Sequence, residues 1–135
     1  MSMLIVTAVA ASVLGLLFVR LSLIVIGFRR KHGVSVGDGG HDDLHRAIRS
    51  QANLAEYAPI ALLLLACLEL NQTPIWITSI LAASFVVGRV LHPLGMKSTD
   101  SPLKPRVRGM QLTLLSILAL GIANLVVVSL LVFNQ

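Results

Sequence analysis

The sequence predicts an all-α integral membrane protein, a four-helix bundle in a single domain over residues 1–135. Three observations carry that expectation. First, 56% of the residues are hydrophobic and only 13% are charged, against about 25% charged in an ordinary soluble domain. Second, the apolar residues fall into four long blocks: Met3 to Phe28, Ala52 to Leu68, Ile75 to Gly95 and Met110 to Phe133. Third, the basic residues gather between those blocks, in two of the three connections. A helix rising 1.5 Å per residue needs about 20 residues to cross about 30 Å of hydrocarbon, and each block reaches that length once its flanks are counted.

The first helix is expected at about residues 3–30. Ala8-Val9-Ala10 has the look of a signal-peptide cleavage motif, but no basic residue precedes it and the apolar run continues to Ile26, too long for a signal core. It is therefore expected to be retained. The stretch "RRKHGVSVGDGGH" that follows is basic and then glycine-rich, which marks a loop. Helix two, at about 42–70, begins polar and becomes apolar. Asn71-Gln72-Thr73-Pro74 is a short uncharged turn, and Pro74 suits the opening of helix three, expected at about 75–96. "MKSTDSPLKPRVRG" is a second basic loop, before helix four at about 106–133. Alternating helices put both basic loops on one side, and an excess of Lys and Arg marks the cytoplasmic face.

The net charge of +5 would suggest nucleic acid in a soluble protein. Here the cations flank membrane segments, and six aromatic residues (four Phe, one Trp, one Tyr) are too few for a stacking platform. Cys67 is the single cysteine; within an apolar run it reads as a small hydrophobe. No HExxH motif or cysteine cluster is present, so no metal is expected.

The polar residues inside the apolar blocks are more informative. Arg46, Arg49, Asn53 and Glu56 recur every three or four residues, which places them on one face of helix two. Tyr57 adjoins that face, and Pro59 removes one backbone donor. Snorkelling at the interface accounts for Arg46, an anchor. It accounts less well for Asn53 and Glu56, because ionisable groups within a membrane need partners and mark functional sites. On helix three, Arg89 and His92 share a face. One reading pairs Arg89 with Glu56 as a structural ion pair; the other gives these groups to a ligand. Arg106 and Arg108 open helix four and suit either an anion or positive-inside anchoring. Arg20, deep in helix one, either faces the bundle or snorkels. Glu69, at the far end of helix two, reads as interfacial.

"RSQANLAEYAP", Arg49 to Pro59, resembles the R-x-x-x-N-x-x-E-Y-x-P signature of the membrane-associated proteins in eicosanoid and glutathione metabolism, the MAPEG family. That family includes microsomal glutathione transferases and leukotriene C4 synthase. The resemblance extends over nearly the whole chain and is nearest to bacterial members. It implies a homotrimer that binds glutathione between subunits at the cytoplasmic end, in a bacterial inner membrane. Carried over by position, it implies that Arg29, Arg49, Gln51, Asn53, Glu56, Tyr57 and His92 bind glutathione. It also implies that Arg106 stabilises the thiolate, with Arg108 as the competing assignment. The chemistry agrees: arginine forks suit the two carboxylates of glutathione, Glu56 suits its ammonium, and a guanidinium favours a thiolate over a thiol. Where several relatives have a second helix-three tyrosine, this chain has Met96.

The implied activity is conjugation of glutathione to a hydrophobic electrophile, or reduction of a lipid hydroperoxide. The alternative is a protein of the same fold that binds glutathione or lipid without turnover. A small multidrug exporter would need a carboxylate deep in helix one, where this chain has Arg20 and no acid.

Overall fold

The computed structural model describes residues 3–96, 98 and 101–133. Lys97, Thr99 and Asp100, within the second basic loop, lie outside the described residues, as do both chain ends. Four helices form: α1 (Ile5–His32), α2 (Asp42–Leu70), α3 (Ile75–Leu94) and α4 (Leu103–Phe133). All are long and apolar enough to cross a membrane. Helix four opens at Leu103, three residues ahead of Arg106, because Pro105 is tolerated in a first helical turn where its missing N–H has no partner to lose.

The helices alternate in direction, so the α1–α2 and α3–α4 connections share one end, called here the basic end. The most extensive pairing is α3 with α4, followed by α1 with α2; α2 also packs on α4 and α1 on α3. The interior between them holds Leu14, Leu21, Leu54, Leu65, Phe85 and Leu120. Lipid tails are as apolar as leucine, so close packing and interhelical hydrogen bonds hold such a bundle together. Asn124 supplies one, donating to the Leu64 carbonyl on α2 at 2.9 Å. The Ser116 hydroxyl meets that of Ser84 at 3.0 Å. Outward faces stay apolar, with Leu16, Leu63, Ile80 and Leu125 all exposed, as suits helices that face lipid.

The α3–α4 crossing is close because both helices present glycine there. A methyl group on Gly109 would lie 2.7 Å from the Gly88 carbonyl oxygen and 2.7 Å from the His92 nitrogen. At the basic end, a methyl group on Gly95 would lie 2.6 Å from the Arg106 Cβ.

Helix ends are satisfied by means that differ from one terminus to the next. Gly33 ends α1 in the left-handed region at φ 65°, letting the Val34 N–H return to the Arg29 carbonyl at 3.0 Å. Arg29, Arg30, Lys31 and His32 occupy the last turn, where cations oppose the negative end of the helix dipole. The start of α1 has no side-chain cap of its own. Glu69 provides one from α2: its carboxylate accepts from the Val6 N–H at 2.8 Å and the Thr7 N–H at 2.7 Å. The residue expected to be merely interfacial thus joins two helices. Glu69→Ala is expected to lower bundle stability by about 2 kcal/mol, by loss of a partly buried charge at a helix N-terminus. Glu69→Gln, which keeps an acceptor, should lose less. Thermal unfolding in detergent micelles distinguishes the two.

Candidate functional site at the basic end

The site is built where three helix ends meet. A cavity of about 420 Å³ opens between the start of α2, the end of α3 and the start of α4. Its basic lining is Arg46, Arg49 and Arg106 with the His45 imidazole; Gly95, Met96, Ser98, Ser101 and Leu103 complete it. Gly95 matters because it lets the α4 backbone at Arg106 approach α3 closely. Arg49 and Arg106, both singled out from the sequence, therefore share one cavity from different helices. Arg108 is exposed and outside it.

Arg46 corrects an expectation. Expected to be a membrane anchor, it lines the cavity, and its Nε is buried with no partner among the described residues. A buried guanidinium N–H with nothing to bond is costly and leaves donor capacity for an anion. His45, for which the sequence carries no motif, also lines the cavity; its Nδ1 lies 2.6 Å from an Asp38 carboxylate oxygen.

The remaining candidates do not line this cavity. Glu56 is half-exposed and pairs with Arg49 at 3.5 Å, two turns along α2. The embedded carboxylate expected from the sequence is thus a surface partner of Arg49 within one chain. Gln51 donates to the Ser22 hydroxyl on α1 at 2.9 Å. Arg29 is turned to its own loop, donating to the carbonyls of Ser35 at 3.1 Å and Gly37 at 2.9 Å. His92 is buried on the α3 face that packs against Gly109.

Arg89 does not pair with Glu56. It is 1% exposed, and its Nη1 donates to the Asn53 side-chain oxygen at 2.6 Å. Its guanidinium carbon lies 5.3 Å from the Tyr57 ring centroid and 6.0 Å from that of Phe85, in the range of cation–π attraction. The geometric reason is rotation about α2: Asn53 faces α3 and carries Arg89, while Glu56 sits far enough round the helix to face outward. Among the described residues Arg89 has no carboxylate partner.

The loop beside the site is held by a second set of ionisable groups. His32 meets both Asp43 carboxylate oxygens at 3.0 Å and stacks on His41 with ring centroids 3.9 Å apart. Asp38 accepts from the Gly40 N–H at 3.0 Å. That backbone bond, reinforced by His45, holds the Asp38 carboxyl below its ordinary value of 3.8. A carboxyl made more acidic by folding adds stability that is present above the ordinary value and lost as pH falls through the lowered one. The Gly40 amide is therefore expected to lose protection from hydrogen exchange on acidification below 3.8, relative to intrinsic exchange. Asp38→Asn should remove that pH dependence.

Chemically, three guanidiniums and an imidazole around one cavity suit a ligand with more than one anionic group. Among the described residues no cluster of His, Cys, Asp and Glu could hold a metal ion.

Comparison with known proteins identifies the family. Residues 7–126 match the model of the MAPEG family. The inner membrane protein YecN of Escherichia coli K12 is 33% identical over 120 residues, covering 89% of this chain and 90% of that protein. YecN of Escherichia coli O6:H1 matches to the same extent. A family match over most of the chain, a 33% identical relative of nearly equal extent and four membrane helices lead to one conclusion: the chain belongs to the MAPEG family.

Proposed function

We propose that this protein is a membrane-bound glutathione transferase, with glutathione peroxidase activity toward lipid hydroperoxides as a second use of the same thiolate. The observation that carries the reading is the meeting of Arg49 and Arg106, from α2 and α4, in one cationic cavity. Glutathione has two carboxylates for the guanidiniums, an ammonium for Glu56, and a thiol whose ordinary pKa of about 8.5 leaves it mostly protonated at neutral pH. A guanidinium at the sulfur favours the thiolate, which is the nucleophile. Arg106 takes that role; Arg29, Arg49, Gln51, Asn53, Glu56, Tyr57 and His92 bind or frame the tripeptide. In conjugation the thiolate sulfur attacks an electrophilic carbon and displaces its leaving group. In peroxide reduction it attacks the outer peroxide oxygen, breaking the O–O bond and releasing the lipid alcohol; a second glutathione reduces the resulting sulfenic acid, giving glutathione disulfide and water.

Assembly into a homotrimer belongs to the same proposal, and the Arg49–Glu56 pair supports it. Glu56 stands about 21 Å along α2 from Asp42, yet its side chain is half-exposed. A charge pair turned outward at that depth is costly in hydrocarbon, and a neighbouring subunit would cover it. The relative YecN is named as an inner membrane protein, and a bacterial inner membrane with the basic end in the cytoplasm is the location we assign. The positive-inside pattern supports that orientation.

The test is turnover and binding with the purified protein in detergent. Conjugation of glutathione to a chlorinated dinitrobenzene, at three binding sites or fewer per trimer, is the expected result. Glutathione binding with no turnover toward this electrophile or a lipid hydroperoxide would support the non-catalytic alternative. No glutathione binding would defeat the transferase reading and leave of the alternative only its lipid-binding form.

A further inference from the structure

Arg106 can stabilise a thiolate but cannot make one. A thiol that ionises gives up a proton, and a guanidinium in a protein stays protonated and accepts none. The three arginines of the cationic cavity therefore leave that proton without an acceptor. Of the other described lining residues, Gly95, Met96 and Leu103 carry no basic group, and the hydroxyls of Ser98 and Ser101 are too weakly basic. Glu56 pairs with Arg49 at 3.5 Å and does not line the cavity. His92 is buried on α3, also outside the lining. The His45 imidazole is the one described lining group suited to take a proton near neutral pH.

Its surroundings fit that task. His45 precedes Arg49 by one turn on the same face of α2, and its side chain is 58% exposed, open to a ligand. Its Nδ1 lies 2.6 Å from one Asp38 carboxylate oxygen, while the Gly40 N–H donates to the other at 3.0 Å. That backbone bond and His45 hold the Asp38 carboxyl below its ordinary value of 3.8, so it is ionised at neutral pH. An ionised carboxylate only accepts hydrogen bonds. The neutral imidazole therefore carries its proton on Nδ1 and has a lone pair at Nε2, which no hydrogen bond engages among the described residues. The glycine-rich stretch of the loop explains the placement. Gly39 and Gly40 take φ of 58° and 78°, and this turn folds Asp38 back over the start of α2, where its carbonyl accepts from the His41 N–H at 3.0 Å.

We infer that Asp38 and His45 form a proton-transfer dyad of the cationic cavity, with His45 Nε2 as the base that takes the glutathione thiol proton. Asp38 is the positioning residue: it fixes the tautomer and stabilises the imidazolium that forms. The assignment rests on the transferase reading and deepens it. In the first step the S–H bond breaks, its electron pair stays on sulfur beside Arg106, and the proton moves to Nε2. In conjugation to a chlorinated dinitrobenzene the C–S bond forms, chloride leaves, and the imidazolium returns its proton to water. In peroxide reduction the O–O bond breaks, and the departing alkoxide takes the proton from Nε2 to leave as the alcohol. The charged groups around His45 are Asp38 from the loop, Arg46 and Arg49 from α2, and Arg106 from α4. The end of α3 contributes Gly95 and Met96, neither of which titrates.

The experiment mixes the full chain in detergent with glutathione in a stopped-flow cell and follows the thiolate absorbance, with equilibrium binding measured separately. His45→Ala should slow thiolate formation about a hundredfold, the lower end of the range for general acid–base catalysis. Glutathione binding, carried by the guanidiniums, should stay nearly unchanged. Imidazole added to the solution should restore the rate in proportion to its concentration, a recovery that a misfolded variant cannot show. Asp38→Asn keeps the imidazole but lets its tautomer reverse; it should slow the step at least about tenfold and not respond to added imidazole. An unchanged rate in His45→Ala overturns the dyad and leaves the transferase reading standing. So does a slowed rate that imidazole fails to restore, which assigns His45 to the shape of the cavity. An unchanged rate in Asp38→Asn overturns the pairing. Failure of the unaltered chain to bind glutathione defeats the transferase reading, and the dyad with it.

Discussion

Arg106→Ala is expected to lower glutathione conjugation by about a hundredfold, the effect typical of removing one preorganised charge-stabilising group. The thiolate absorbance of bound glutathione should disappear at neutral pH and return only as pH rises toward the ordinary thiol value. The expectation follows from placement. Arg106 enters the same cavity as Arg46 and Arg49, where each guanidinium adds to the field felt by a bound anion. Arg46 and Arg49 remain in the variant, so binding of the carboxylates should fall less than turnover. Arg108, exposed and outside the cavity, serves as the comparison: Arg108→Ala should leave the thiolate signal intact. If that signal survives in Arg106→Ala and is lost in Arg108→Ala, the activating role belongs to Arg108. Circular dichroism and subunit stoichiometry, unchanged in both variants, separate a chemical effect from loss of fold.

The second large effect concerns stability. Gly109→Ala should destabilise the bundle by about 3 kcal/mol, the upper part of the range for overpacking a close contact. The added methyl group meets the Gly88 carbonyl oxygen and the His92 nitrogen, each at 2.7 Å. Both are backbone atoms and cannot swing aside, so α3 and α4 must separate. Gly121→Ala is the matching control on the same helix. Nothing lies within 4 Å of a methyl group there, and alanine is the better helix former by up to about 1 kcal/mol. Thermal unfolding in one detergent should therefore move in opposite directions for the two variants. A shared direction would show that the crossing relaxes more readily than its backbone contacts imply. Because Gly95 and Arg106 lie further along the same interface, opening the crossing should also weaken the cationic cavity.

The four helices were legible because length and apolarity are properties of each segment alone. The convergence of Arg49 and Arg106 was legible for a related reason: alternating helices bring the start of α2 and the start of α4 to one end. What the sequence left open is rotation. A helix turns about 100° per residue, so a small change in facing decides whether Arg89 meets Glu56 or Asn53. The structure selects Asn53, and adds the rings of Tyr57 and Phe85. Arg46 is undecided by sequence on the same ground, since a basic residue near a helix start reads equally as an anchor or a cavity wall. Gly88 and Gly109 are separated by 21 positions in the sequence, and no single-segment pattern announces that they face each other.

The Glu69 contact carries a consequence for how the chain enters the membrane. During synthesis α1 precedes its own cap by more than sixty residues, since Val6 and Thr7 wait for a carboxylate that follows them by 63 and 62 positions. Until α2 has crossed, the leading amides of α1 depend on water or lipid headgroups at the far surface. Arrival of Glu69 replaces those partners and latches the first two helices as a hairpin. The α1–α2 hairpin is thus tied, side chain to backbone, at the end opposite its connecting loop.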